Sequence, residues 1–262
     1  MKLHHKNRKL ESKSNLHILM ISPQKRNASP DLPQGGLNSW TDEFLHEAAK
    51  CGISVDVVNT STIGSREFAW QSRMNVIEET VRTLRILSSL IIKLFKKRYG
   101  VMHLNSAGSM LGLLRDFVCA LIARFYRTPI IAHFHCDISD QVSNNGLSKL
   151  LLKRITRISS LVISLNNRSS EYILLHCGVE SKTIGNFISR EDIVSKPKEI
   201  HEKIERVLYV GYVSINKGSK DLFRVAEMLP EISFELVGVV NSEINEIDQP
   251  SNVTLRGGLA KN

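Results

Sequence analysis

Short apolar runs alternate along this chain with longer stretches in which apolar residues recur every three or four positions. Leu16–Ser22 has the run of a buried strand, and a polar loop rich in Pro and Gly follows from Pro23 to Gly36. An amphipathic helix is predicted from about Leu37 to Cys51, ended by Gly52, and Ile53–Asn59 is the next strand. Val101–Asn105, Pro129–His135 and Leu161–Leu165 are three further strand candidates, with helices near 109–126, 147–158 and 168–177. Residues 76–98 form another amphipathic helix, in which Ile77, Val81, Leu84, Ile91 and Phe95 repeat at helical spacing, the pattern of a helix that covers a sheet. A second series opens at Arg206: strand 206–211, helix 217–229, strand 232–238 and a short strand 252–257. The Lys- and Glu-rich stretch from Ser189 to Glu205 reads as a linker. Strands alternating with helices predict parallel sheets with helices on both faces, so residues just after each strand are where a ligand is expected.

Composition places the chain among globular proteins: 262 residues, 42% apolar and 23% charged. The net charge of +9 is uneven, because residues 1–180 hold 24 Lys and Arg against 14 Asp and Glu. Part of this excess is a basic tail over residues 1–15; the field favours anionic partners. Cys51, Cys119, Cys136 and Cys177 show no C-x-x-C spacing, and three lie in apolar surroundings, which suits reduced buried thiols in a cytosolic compartment. The apolar run Leu16–Ile21 is short and ends in Ser-Pro-Gln-Lys-Arg, unlike a cleaved signal. No stretch approaches the roughly 18 apolar residues of a membrane span. Nucleic-acid binding is not expected either, since no RNP, helix-turn-helix or finger pattern accompanies the charge.

Three segments carry chemistry. Gly35 and Gly36 stand immediately ahead of the first helix, where backbone N–H groups can approach a phosphate. At the end of the strand from Pro129, alternation puts His133 and His135 on one face; such a histidine can donate to developing charge or hold a sugar hydroxyl. A third ligand at metal-binding spacing is lacking, so no metal is expected. Gly211, at a strand end, and Lys217, at the predicted start of the next helix, suit a pyrophosphate.

In order along the chain, these features resemble the family-four retaining glycosyltransferases of the GT-B fold. Leu208 to Gly218 looks like the family's "fvGRL…KG" segment, Ile184-Gly185-Asn186-Phe187-Ile188 like its "iPNgvd" signature, and Leu161–Leu165 like the preceding strand. The resemblance spans about residues 16–262. It implies a Rossmann-like acceptor-side domain over 16–188, the linker 189–205, and a partial donor-side Rossmann-like domain over 206–262. It further implies that Gly35 and Gly36 lie near the donor phosphates, that His135 is at the reaction centre, and that Lys217 meets the donor pyrophosphate. The partners so implied are a nucleotide-sugar donor, bound as substrate with no cofactor, and a hydroxyl acceptor in polysaccharide or glycolipid synthesis.

Tyr212 departs from the pattern, because the family has an arginine there, a bidentate cation that tyrosine does not replace. The acidic E-x7-E segment has no counterpart, and only 57 residues follow from Arg206, which leads us to expect an incomplete second sheet. An inactive truncated remnant that keeps acceptor or membrane binding is therefore one alternative, and a sugar-nucleotide epimerase of the same fold is another. On the helix 76–98, Arg82, Arg85, Lys93 and Lys96 fall within an arc of roughly 80°. They are read either as a solvated side or as contacts to an anionic membrane, which would hold the protein at the inner face of the plasma membrane beside a lipid-linked acceptor.

Overall fold

The computed structural model describes residues 16–24, 36–61, 76–142, 144–188, 193 and 202–258. The chain divides into two compact units, the second beginning after Ser189.

The first unit is a six-stranded parallel sheet. Its strands are β1 (His17–Ser22), β2 (Ser54–Asn59), β3 (Val101–Ser106), β4 (Ile130–Phe134), β5 (Leu161–Ser164) and the two-residue β6 (Lys182–Thr183), in the order β2-β1-β3-β4-β5-β6. Its helices are α1 (Gly36–Lys50), α2 (Val76–Lys96), α3 (Met110–Phe125), the short α4 (Ile138–Val142), α5 (Gly146–Ile158) and α6 (Asn167–Cys177). Helix starts follow local chemistry: Ser109, Asn145 and Asn166 each accept a hydrogen bond from the backbone N–H three residues on, and Gly178 ends α6 at φ 70°. Only the step from β1 to β2 runs against the direction of all later steps. With right-handed crossovers, α1 covers one face of the sheet and, among the described helices, α2, α3, α5 and α6 cover the other.

The face under α2, α3, α5 and α6 is the apolar core, with Leu19, Ile21, Leu104, Phe134 and Val162 packed against Leu90, Leu113, Leu152 and Ile173. Here the structure corrects the reading of α2. The residues that α2 buries are Ile86, Leu90 and Leu94, whereas Ile77, Val81, Leu84, Ile91 and Phe95 are exposed by 42 to 80%. The helix carries two apolar stripes, and the sheet takes the one centred on Leu90.

The second unit is a three-stranded parallel sheet, β7 (Arg206–Val210), β8 (Ser233–Val237) and β9 (Val253–Gly257), in that order, with α7 (Ser219–Met228) between β7 and β8. Val213, Phe223, Phe234, Leu236 and Val253 form its core. Asn252 ties the end of α7 to the sheet by donating to the carbonyls of Ala226, Leu229 and Ile232. The expected helix 217–229 starts later, because residues 215–217 form a separate 3-10 turn and Gly218, at φ 80°, breaks the path into α7.

Candidate functional site

The reversal of strand order lies between β1 and β3, the place where open parallel sheets of this kind receive ligands. Four polar side chains form a chain of hydrogen bonds there. His135, one residue past β4, still pairs its backbone N–H with Ser106 O at 2.9 Å, which fixes its position against β3. Its Nε2 lies 3.0 Å from Asn105 Oδ1, Asn105 Nδ2 donates to Ser22 Oγ at 3.1 Å, and Ser22 Oγ lies 2.6 Å from Thr41 Oγ1, which donates to Leu37 O at 2.8 Å. The donors run one way. An amide oxygen only accepts, so His135 carries its proton on Nε2; the amide NH2 only donates, so Ser22 is free to donate onward to Thr41. The ring's remaining acceptor is Nδ1. Ser22, Thr41 and Asn105 are all buried, so each bond is made in a low-dielectric setting where an unmade one costs about 1–3 kcal/mol.

Beside this chain lies a cluster of aromatic rings under α1. His133, on the same sheet face as His135, has its ring 3.8 Å from that of His135, and its Nδ1 is 3.3 Å from His103 Nε2. Trp40 places its indole edge-on to His103, His133 and His135, 4.6 Å from the last, and also meets Phe44 and Phe187. Burial pushes all three imidazoles below their ordinary value, His103 to about 3, His133 to about 4 and His135 to about 3, with the neighbouring histidines adding to the shift at His103 and His135. All three are neutral at neutral pH. His133 Nε2 is buried without a partner. Stacked and tilted rings do not converge their lone pairs on one point, and among the described residues no three His, Cys, Asp or Glu are arranged to hold a metal ion.

Of the other residues singled out in the sequence, Gly35 lies outside the described residues. Gly36 is the first residue of α1, and a Cβ there would meet no protein atom within 4 Å. In the second unit, Gly211 and Lys217 both follow the carboxyl end of β7. Gly211 donates to Val237 O at 2.9 Å, and the two strand ends approach so closely that a Cβ on Gly238 would lie within bonding range of Gly211 O. Lys217 is exposed in the 3-10 turn, and Ser219, at the start of α7, is buried with its hydroxyl unpartnered. At the opening of the 3-10 turn, Ile215 N–H is held by the Glu243 carboxylate at 3.0 Å. Tyr212 accepts the Tyr209 hydroxyl on its carbonyl.

On α2, Arg82 is ion-paired with Glu79 at 2.9 Å, and Arg85 donates to the carbonyls of Asn59, the last residue of β2, and of Ser61. Lys93 is half-buried and Lys96 exposed. Residue types alone did not reveal Trp40, Asn105, Ser22 or Thr41; the available signal was small polar residues ending two strands that the fold makes neighbours. Cys119 and Cys177 are buried thiols, Cys136 is half-buried and Cys51 exposed. No described helix is long and apolar enough to cross a membrane.

No protein-family model matches this chain, and no curated protein matches it in sequence. Solved structures do match. TarM is similar with a TM-score of 0.63 at 13% identity, over 95% of this chain and 78% of that one. HepE from Anabaena, in complex with UDP and glucose, is similar with a TM-score of 0.54 at 14% identity, over 94% of this chain and 70% of that one. UDP-GlcNAc 2-epimerase from Neisseria meningitidis, bound to UDP-GlcNAc, gives 0.51 at 12% identity, over 94% of this chain and 73% of that one. At such identities the likeness is one of fold. The strand order, the helices on both faces of the first sheet and these matches together give the chain an α/β architecture of GT-B type, two Rossmann-like units in one polypeptide.

Proposed function

We propose that this chain is a glycosyltransferase that moves a sugar, with retention, from a nucleotide-sugar donor to a hydroxyl acceptor, as the family-four resemblance implies. The observation that carries the reading is the neutral His135, held by Asn105 at the carboxyl end of β4, beside the reversal of strand order. With Nε2–H committed to Asn105, His135 offers Nδ1 to a sugar or acceptor hydroxyl and orients it. Its depressed pKa makes it a weak base, so its contribution is to position rather than to remove a proton outright. In the second unit, exposed Lys217 and the amino end of α7 supply positive potential for a diphosphate leaving group, and the buried Ser219 hydroxyl is a further donor there. The uridine nucleotides in the solved structures of HepE and the Neisseria epimerase make UDP-sugars the first donors to try. The reading uses no cofactor, and it takes an acceptor in polysaccharide or glycolipid synthesis, lipid-linked at the cytoplasmic face of a membrane.

The epimerase match favours one second reading, inversion of a sugar nucleotide without any acceptor. A product assay with a panel of UDP-sugars, with and without a membrane extract as acceptor source, separates the two. Transfer that needs the extract supports the transferase; conversion of the sugar nucleotide alone supports the epimerase. Binding of extract components without either reaction leaves the inactive, acceptor-binding reading.

A further inference from the structure

The outward side of the helix layer over the first sheet is apolar where a solvated layer would be polar. On α2, Ile77, Val81, Leu84, Ile91 and Phe95 lie roughly 135° around the helix from the buried stripe of Ile86, Leu90 and Leu94. On α3, Met110, Leu114, Leu121 and Phe125 fall within an arc of roughly 60°, and they are 40, 45, 45 and 82% exposed. The two helices pack side by side on one face of the sheet and run in the same direction, each leading back to the amino end of its next strand. Their carboxyl ends therefore lie at the same end of the layer. Phe95, 80% exposed, and Phe125, 82% exposed, are found at these ends. Exposed Lys96 and Arg98 flank the first, and exposed Arg124 and Arg127 flank the second. A cavity of about 370 Å3 opens at the end of α3, lined by Arg124, Arg127, Thr128 and Ser160 among others. Over residues 76–177, 14 Lys and Arg stand against six Asp and Glu, and Glu79 and Asp116 among these are paired within their own helices.

We propose that the outer face of α2 and α3 docks on an anionic lipid bilayer, with Phe95 and Phe125 entering the headgroup–acyl boundary and Lys96, Arg98, Arg124 and Arg127 meeting lipid phosphates. Charge complementarity selects the occupant. Apolar side chains alone would suit a second copy of the chain or a protein partner, but two aromatic anchors each bracketed by cations match a surface that is apolar below and negative above. The contact differs from the basic arc read in the sequence: of its four members, Arg82 and Arg85 are committed inside the fold, and the apolar stripe takes the leading part. Helix α2 is about 30 Å long, so the stripe lies along the surface as a monotopic contact. For what it is brought near, a lipid-linked acceptor, the inference rests on the proposed transferase; the docking itself needs no turnover.

The test is flotation of the full chain with vesicles of phosphatidylcholine alone and of phosphatidylcholine mixed with phosphatidylglycerol. Binding is expected to the mixed vesicles at low salt. The Phe95→Ser, Phe125→Ser variant should lose on the order of ten-fold or more in affinity with unchanged thermal unfolding, since both rings are exposed in the free protein. Replacing Lys96, Arg98, Arg124 and Arg127 by Glu should abolish binding at low salt. Three results overturn the proposal: a wild-type chain that stays unbound at low ionic strength, a phenylalanine variant that binds as the wild type does, or self-association without vesicle binding that the same variant abolishes. Vesicle binding without sugar transfer would sink only the transferase reading.

Discussion

Asn105 and His135 come from neighbouring strands, thirty residues apart in sequence, and meet through a 3.0 Å hydrogen bond that sets which imidazole nitrogen holds the proton. The bond is one link of a relay whose other end is the first turn of α1. Asn105 is therefore expected to act as a positioning residue. In Asn105→Asp a carboxylate would face the ring and favour its charged form, raising the His135 pKa from about 3 by more than about one unit. Nitrogen-15 NMR titration of the ring reads its pKa; an unchanged pKa in the variant would show that Asn105 does not govern the ring.

The three histidines under α1 make the first unit sensitive to acid. Their folded-state values of about 3, 4 and 3 lie below the ordinary 6.5, so the unfolded chain binds more protons in the interval between. Stability is then full above pH 6.5 and declines as the pH falls through that value, by about 1.4 kcal/mol per unit for each histidine kept neutral. Urea unfolding from pH 7.5 to 4.5 should show this decline. Replacing His103, which is buried and outside the relay, by Gln should flatten it; a profile as steep as the wild type's would count against the cluster.

Trp40 is the ring on which the cluster is assembled, touching three histidines and two phenylalanines while only 7% exposed. Trp40→Ala should cost about 3–5 kcal/mol of unfolding free energy, the scale for deleting a buried aromatic. Denaturant titration followed by circular dichroism measures it, and a loss below about 1 kcal/mol would mean that α1 repacks without it.

Two charged residues near β7 should act in opposite senses on nucleotide binding. Lys217→Ala is expected to weaken UDP binding by about 1–3 kcal/mol, the scale for losing a charged hydrogen bond. Glu243→Ala removes the carboxylate from Ile215 N–H and is expected to tighten it, because an anion no longer has to compete for that donor. Calorimetry on both variants decides: unchanged affinity in the first removes Lys217 from the site, and weaker binding in the second makes Glu243 part of the binding surface.

The alternation of apolar runs with helical periodicity was enough to read the strands β1 to β5 and β7 to β9, the longer helices and the parallel α/β class, because burial on both sheet faces leaves continuous apolar runs and caps mark the helix ends. Alternation also put His133 and His135 on one face. The side of α2 that meets the sheet was not legible, since periodicity reports that a stripe is apolar and not what covers it; with two apolar stripes on one helix, only packing against β strands chose Ile86, Leu90 and Leu94. The start of α7 was lost in the same way, because Gly218 at φ 80° divides a turn from a helix that the residue pattern runs together. The relay from His135 to Thr41 joins residues up to 94 positions apart, and its members are ordinary polar residues in sequence. Strand order made them neighbours: with β1 placed beside β3, and β3 beside β4, burial then required each polar atom to find the others.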